Sequence, residues 1–572
     1  MSAAGRTRSW WGWGWDEEAL TGPALDAIGA MLAARFGRAA DASGHGPGDP
    51  VDPHTIEVAR PRVAPPRHLA ALTSDAPVDR LRHGHGAAFR ELVRALHGDI
   101  PTPPDLVVRP RDAADVARIL DWCTDAGIAV VPWGGGTSVV GGVTPPPDAG
   151  PVVSLDLEHL DGVLEVDERS QHARIEGGAT GPAIERQLGG RGLTFRHFPQ
   201  SWEFSTLGGW VVTRAGGHFA TGPTHVDDLV AAVTAETPTG RWSSRRLPGS
   251  GAGPSPDRWL LGSEGTLGVV TQAWVRVQPR PRSRGSATLA FPSFPAGLEA
   301  VRAIAQVPLE PANCRLLDPV EAALAGAAPP DGHRTLLVLG FEAVDGPLTE
   351  RLALAIEVAR DHGGEVLDGP TERRGDVTGA AEGGAGAWRE AFLRGPYLRD
   401  AIARLGGVAE TFETATTWDR AAELVATLRD TAEAAATAVC GGALVSVRTT
   451  HAYVDGVAPY LTVVAPGPPP ATSGSGTATT GDRVARGRAQ AAAWDEVKAA
   501  VSEVIDAAGA TITHHHAVGR DHRPWYDRQR PEPFARALIA VKRELDPAGV
   551  LNPGVLVDVP LRSVSRRGDP SG

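Results

Sequence analysis

The chain has 572 residues and a formal charge of −12, a length that predicts two or three packed domains. The acidic balance, with Lys498 and Lys542 as the only lysines, excludes the basic face that a nucleic-acid partner requires. Cys123, Cys314 and Cys440 lie far apart with no C-x-x-C pair, which excludes a zinc ribbon or a redox dithiol and fits a reducing compartment.

The N-terminal MSAAGRTRSWWGWGWDEEAL carries no apolar stretch of signal-peptide length, and no run of eighteen apolar residues occurs anywhere, so a cytoplasmic protein is expected. Residues 38–66 are rich in Gly, Pro and His and read as loop. The run 105-DLVV-108 predicts a short strand, and 112-DAADVARILDWCTDAG-127 a helix. Asp112 serves as its N-cap, Val116, Ile119, Leu120 and Cys123 fall at helical spacing, and Gly127 is its C-cap. A second strand, 128-IAVVPW-133, completes a β-α-β unit of the kind found in α/β nucleotide-binding regions.

That unit ends in 132-PWGGGTSVVGGV-143. Consecutive glycines let backbone N–H groups turn inward around an anion, with the Thr137 and Ser138 hydroxyls beside them. No Gly-Lys-Ser/Thr follows, so it is not a Walker loop, and the G-x-G-x-x-G spacing of a dinucleotide fingerprint is absent. Two further glycine segments follow. The first is 203-EFSTLGGWVVTRAGG-217. The second, 262-GSEGTLGVVTQAWVRVQP-279, runs into a strand alternating Val269, Thr271, Ala273, Val275 and Val277. Three such loops predict an extended ligand touched by backbone at several places. The segments 248-PGSGAGPSPD-257, residues 375–387 and 466-PGPPPATSGSGTATTGD-482 read as loops, the last too polar to order itself.

The triplet His514, His515 and His516 lies in 511-TITHHHAVGRDHRPWYD-527. In an extended segment His514 and His516 would share one face and His515 the other. Three neighbours then cannot converge on one metal without bending the chain, and no cysteine or carboxylate ligand is evident nearby. Metal is the weaker reading, and none is assigned.

The order P-x-G-G-G-T-S, S-T-L-G-G-W with T-R-A, then G-S-E-G-T-L-G-V resembles the FAD-binding domain of vanillyl-alcohol-oxidase-type flavoproteins. The match extends over nearly the whole chain to the alkyldihydroxyacetonephosphate synthase (alkylglycerone-phosphate synthase) family. It is carried further by 10-WWGWGW-15, 79-DRLRHGHG-86, 311-PANCRLLD-318, 396-PYLRD-400, 410-ETFETATTWD-419, 456-GVAPYLTVVA-465, 514-HHHAVG-519 and 546-DPAGVLNPGVL-556.

The resemblance implies an α+β fold. Residues 1–100 would form a helical and loop region, 101–282 a two-subdomain PCMH/VAO-type FAD-binding domain, and 283–545 an α+β cap or substrate domain containing a disordered 466–482 loop. Residues 546–572 would return to the FAD domain and end in a disordered tail, whose sequence RSVSRRGDPSG carries no S-K-L address. FAD would be lined by Trp133, Gly134, Gly135, Gly136, Thr137, Ser138 and Val139; by Gln200, Ser201, Trp202, Glu203, Phe204, Ser205 and Thr206; by Thr213, Arg214, Ala215 and Gly216; and by Glu264, Gly265, Thr266, Leu267, Gly268, Val269 and Val270. The first glycine loop has no histidine for a covalent flavin link, so the FAD is expected to be dissociable.

The implied reaction is non-redox: the fatty acid of acyl-dihydroxyacetone phosphate is exchanged for a long-chain alcohol, leaving an ether. Tyr460 matches the family's acid/base tyrosine, with His514, His515 and His516 as further catalytic residues. Arg399 matches its substrate-binding arginine, with Pro396 at a helix start that puts Arg399 in the first turn, and Arg315 matches a supporting one. A homodimer and peripheral membrane contact, at the inner membrane face, are expected by the same resemblance.

Two departures stand out. After T-R-A the chain reads 217-GHFATGPTHVDDLV-230, with His218 and His225 where the family carries lysines, and V-A-P precedes Tyr460. The alternative is an FAD-linked oxidase or dehydrogenase of a 2-hydroxy acid or alcohol, with Arg399 on a carboxylate. Glu-His-Gly is common in such enzymes at the position of His515 and His516, and this chain lacks it. A flavin-binding protein with a decayed site is the third reading, against which the retained Tyr460, Arg399 and histidines stand.

Overall fold

The structure is a computed structural model that describes residues 5–37, 48–327, 332–375, 384–469, 479–559 and 561, with side chains of 384–392 left aside. Parts of the loops expected at 38–66, 375–387 and 466–482, and the tail 562–572, lie outside the described residues.

The β-α-β unit forms as its sequence dictates. Strands Leu106–Val108 and Ala129–Trp133 both pair in parallel with Val152–Asp156. Helix Ala113–Ala126 between them is capped by Asp112, which accepts from Asp115 N at 2.7 Å, and closes on Gly127 at φ 64°. This four-stranded sheet stands beside a five-stranded antiparallel sheet whose centre is Val269–Arg276. Val269, Thr271, Ala273, Val275 and Val277 are all buried, as their alternation predicts. The chain returns to the first sheet near its C-terminal end, where Leu551 bridges Val130 in parallel and Asn552 N donates to Val130 O at 2.8 Å.

Between these passes lies an eight-stranded sheet. Its order is Glu365–Arg374, Ser283–Phe291, Thr335–Ala343, Asn313–Leu317, Leu444–Ala452, Gly456–Ala465 and Val408–Glu413, with Thr416–Thr417 also on Gly456–Ala465. Helices Phe294–Ala305, Trp418–Cys440 and Thr480–Ala507 cover it through a core that includes Leu428, Val463, Trp494 and Val497. The mixed sheets and helices make the expected α+β fold, with an additional helical N-terminal region. Cys123, Cys314 and Cys440 are all buried.

One expectation fails. Pro396 lies inside helix Gly384–Arg404, so Arg399 belongs to its later turns and not its first. A proline in an otherwise helical sequence can be accommodated where the surrounding packing holds the helix on both sides of it.

Candidate active site

All three glycine loops open onto one cavity of about 590 Å³. Its wall includes Trp133 to Val139, Gln200, Ser201, Ser205, Thr206, Thr213, Ala215, Gly216, Glu264, Gly265, Gly268, Val269 and Val270. Space here is reserved by missing side chains: a Cβ on Gly135 would collide with the Phe204 carbonyl, and Gly136 turns at φ +67° against the Trp133 ring. Such a cradle of closely approaching backbone fits the elongated, phosphate-bearing FAD.

Six expected residues face elsewhere. Phe204 packs on Trp13 and Trp15, and Glu203 accepts from Trp15 Nε1 at 2.7 Å. Trp202 leans on Phe198, and Arg214 pairs with Asp227 at 2.7 Å. Thr266 Oγ1 donates to Ser263 O, while Leu267 is fully in the core. The Ser138 hydroxyl is also engaged, accepting from Gly142 N at 3.0 Å.

Tyr460, Arg315, Arg399, His515 and His516 border the same cavity. Tyr460 lies on Gly456–Ala465, directly opposite Glu413 on one neighbouring strand and Arg448 on the other. Burial pushes its phenol up, against the lowering effect of the Arg448 guanidinium and a hydrogen bond with Thr411. Arg399 donates to Ala87 O at 2.8 Å and reaches Asp400 at 3.3 Å, while its buried Nε has no partner among the described residues. Arg315 donates to His218 O at 2.6 Å, and its pKa is lowered to about 9 by burial and by nearby Arg448.

The tryptophan-rich 10-WWGWGW-15 docks on the Arg399 helix. Trp15 N–H donates to Tyr397 Oη at 3.2 Å, and Trp13 N–H to Asp400 Oδ2 at 2.5 Å. Gly14, at φ +67°, has room for no side chain against the Tyr397 ring.

The histidines depart from the extended-chain expectation. Residues 514–516 form a bend, followed by Ala517 at φ 69°. The Nδ1 atoms of all three turn toward one carboxylate, Glu413, at 3.9 Å for His514 and 3.7 Å for His516, with His515 closest. The cause is tertiary: Glu413 accepts from the backbone N–H groups of both His515 and His516 and from Thr513 Oγ1, which overrides the alternation of faces. Burial would raise the Glu413 carboxyl, but the charges of His515 and His516 hold it well below the usual carboxylate range. Burial lowers His516 to about 4.

His514 is not on the cavity wall. Its Nε2 meets the Tyr453 hydroxyl at 2.8 Å, and its ring packs between His225 and His451. The extended geometry that would keep neighbouring histidines from converging is therefore absent. A carboxylate is present and the chain is bent, and the donor atoms of His451, His514 and His515, or of Glu413, His515 and His516, come within 4.8 Å of one another.

Sequence reasoning missed Glu413, Arg448, His451, Tyr453, Lys498 and Asn552. Lys498 and Asn552 line the cavity, the first paired with Glu410 at 2.6 Å and the second donating to Glu264 O at 2.7 Å. Glu264 in turn ties the third glycine loop to the histidine segment, accepting from Val518 N at 2.9 Å and Gly519 N at 2.8 Å. Its carboxyl is pushed up to about 7 by burial. Glu413 stands in the quoted 410-ETFETATTWD-419, but no local pattern marks it.

Residues 104–244 match a family model for the FAD binding domain, and 280–556 match one for the C-terminal domain of FAD linked oxidases. The chain is 29% identical over 536 residues to an alkyldihydroxyacetonephosphate synthase of Caenorhabditis elegans, covering 87% of each. It is 27% identical to one of Dictyostelium discoideum, covering 84% of this chain and 78% of that one. The glycolate oxidase subunit GlcD of Bacillus subtilis is 27% identical, over 79% of this chain and 88% of its own. A solved alkyldihydroxyacetonephosphate synthase superposes with a TM-score of 0.75 at 22% identity, covering 95% of this chain and 98% of that one. The cofactor is FAD. With residues 104–244 and 280–556 matched in order, the chain carries both domains of an FAD-linked enzyme and is similar over 87% of its length to an alkyldihydroxyacetonephosphate synthase.

Proposed function

We propose that the enzyme exchanges the acyl chain of acyl-dihydroxyacetone phosphate for a long-chain alcohol. The bond from the substrate's first carbon to the ester oxygen breaks, and a bond from that carbon to the alcohol oxygen forms. The alcohol's proton leaves with the fatty acid, and no net electrons move. The observation that carries this reading is the convergence of Tyr460, His515, His516, Arg315 and Arg399 on one cavity with the three glycine loops.

FAD, held by those loops, supplies an electrophilic ring system to the reacting carbon. The side chains supply the rest. Tyr460, as its phenolate, accepts a proton from the first carbon and later returns it, so the phenolate ends as it began. His515, its Nδ1 engaged by Glu413, offers Nε2 to the entering alcohol or the departing carboxylate. The Arg399 guanidinium, with its Nε still to be satisfied, suits the phosphate, and Arg315 supports the flavin side.

The same cavity continues along apolar walls that include Leu20, Met31, Leu324, Ile402, Leu444 and Val464. Burying an alkyl chain there gains about 0.8 kcal/mol per methylene. Met31 and Leu324 are partly exposed, which supports entry of the chains from a lipid surface and hence peripheral membrane contact. Among the described residues no helix is long and apolar enough to cross a membrane. The homodimer is carried over from the family resemblance.

Incubation of the yellow protein with acyl-dihydroxyacetone phosphate and a labelled long-chain alcohol tests the reading. An alkali-stable labelled ether is expected. No ether, together with anaerobic bleaching of the flavin by a 2-hydroxy acid, would replace this function by a dehydrogenase. Acid precipitation should leave the FAD in the supernatant, because no histidine stands in the first glycine loop.

A further inference from the structure

Arg448 stands in no motif of the sequence, yet its guanidinium lies over the Tyr460 ring. The two residues pair directly across neighbouring strands, and the guanidinium carbon lies 3.8 Å from the phenol ring centroid. The Arg448 head is fixed from behind: Nη1 donates to Glu321 Oε1, and the other Glu321 oxygen accepts from Ser446 Oγ. Glu321 is itself fixed by helix Pro319–Leu324, whose N-cap Asp318 accepts from Glu321 N at 2.7 Å. Arg448, Glu321 and Tyr460 are all buried, and all three border the cavity.

A cation stacked on a phenol face in a desolvated site interacts more strongly with phenolate than with phenol, because ionisation places negative charge in the ring. We propose that Arg448 is a positioning residue of the reaction, stabilising the Tyr460 phenolate from the ring face while Glu321 holds and partly offsets its charge. This rests on the reading of Tyr460 as the group that takes and returns the substrate proton. Without such a cation, a phenol buried this deeply would hold its proton too firmly to accept one from carbon and give it back near neutral pH.

Other groups face the same ring. Glu413 stands opposite on Val408–Glu413 and opposes ionisation, while the Thr411 hydroxyl of that strand favours it. His515 and His516 come from the histidine bend, with ring centroids at 6.5 and 5.9 Å. Arg315, near enough to Arg448 to lower its own pKa, comes from Asn313–Leu317, and Lys498 from Thr480–Ala507 borders the same cavity. Of these, His515 lies parallel to the Tyr460 ring but at 6.5 Å, whereas the Arg448 guanidinium sits over it at 3.8 Å.

The test is a titration of the phenol itself, read by 19F NMR on flavin-loaded enzyme labelled with fluorotyrosine. Four tyrosines are present, and Tyr460→Phe assigns the resonance. Arg448→Met should move the Tyr460 titration up by about one pH unit or more, and carry the pH dependence of exchange in the same direction while the flavin spectrum stays unchanged. Glu321→Gln removes the offsetting charge and should move it down. A merely structural contact does not produce opposite shifts. Arg448→Lys should restore part of the wild-type position.

A Tyr460 titration unmoved by Arg448→Met overturns the proposal. If that variant loses its flavin, Glu321→Gln decides: an upward shift or none overturns it. Full exchange activity in Tyr460→Phe would instead remove the role of Tyr460 on which the proposal rests, whatever the resonance does.

Discussion

Glu413 binds His515 twice, its Oε1 accepting from the His515 backbone N–H at 2.5 Å and its Oε2 facing the His515 Nδ1. A buried carboxylate against one imidazole nitrogen fixes the ring and its tautomer and leaves the other nitrogen for chemistry, the logic of carboxylate–histidine pairs in acyl transfer. Glu413→Gln should therefore keep the fold and the flavin but lower turnover by about 10²- to 10⁴-fold. Because the amide can still accept from the backbone, the loss should fall on kcat more than on KM. Steady-state exchange kinetics beside the flavin absorbance check this, and near-normal kcat would reduce Glu413 to a loop anchor.

The three histidines should not respond alike. His515 and His516 border the cavity, whereas His514 turns back to Tyr453, His225 and His451. His515→Ala or His516→Ala is expected to abolish exchange with flavin retained. His514→Ala should cost only about tenfold, through loosened support of its neighbour, and Tyr453→Phe should resemble it. Both donor sets around the bend also allow a direct check for metal: chelation should leave exchange unchanged, and activity lost to chelator and restored by zinc would make these residues ligands.

What the sequence disclosed was local. Asp112 and Gly127 bracket their helix because capping is decided within four residues, and the glycine loops are legible because only glycine fits where backbone approaches backbone. Glu413 and Arg448 were invisible because their role comes from strand register: they meet Tyr460 from two different strands, 47 and 12 residues away in the chain. The bend at 514–516 was missed for the same reason, since the acceptor that turns its N–H groups inward is about 100 residues upstream. Pro396 misled because a proline usually begins a helix, and here the helix continues through it.

Glu264 predicts a specific pH dependence. Its carboxyl is buried and raised from 4.5 to about 7, so folding favours the protonated form. The stability it contributes is fully present below pH 4.5 and is lost as pH rises through 7, an interval corresponding to about 3 kcal/mol. Glu264→Gln cannot ionise, so its melting temperature relative to wild type should climb between pH 4.5 and 8. His516, lowered to about 4, acts on the other side: its contribution is present above its ordinary value of 6.5 and lost as pH falls through 4. Thermal unfolding of wild type and Glu264→Gln across this range measures the difference, and parallel curves would refute it.

On the proposed reading, the strand that carries Tyr460 also sets the length of alkyl chain that fits. Tyr460, Thr462 and Val464 share one face by the two-residue period of a strand, and all three border the cavity. At about 3.3 Å per residue, Val464 stands about 13 Å along the wall from Tyr460, the length of roughly ten methylenes. A large side chain there should close the apolar continuation without touching the reacting groups. Val464→Trp is therefore expected to retain exchange with short alcohols and to lose it about tenfold or more once the chain passes that length, because each excluded methylene forfeits about 0.8 kcal/mol of burial. Thr462→Trp, two residues closer, should move the limit to shorter chains still. Competition between alcohols of graded length gives the readout, and a chain-length profile that both variants leave in place would mean that the alkyl chain runs along another wall.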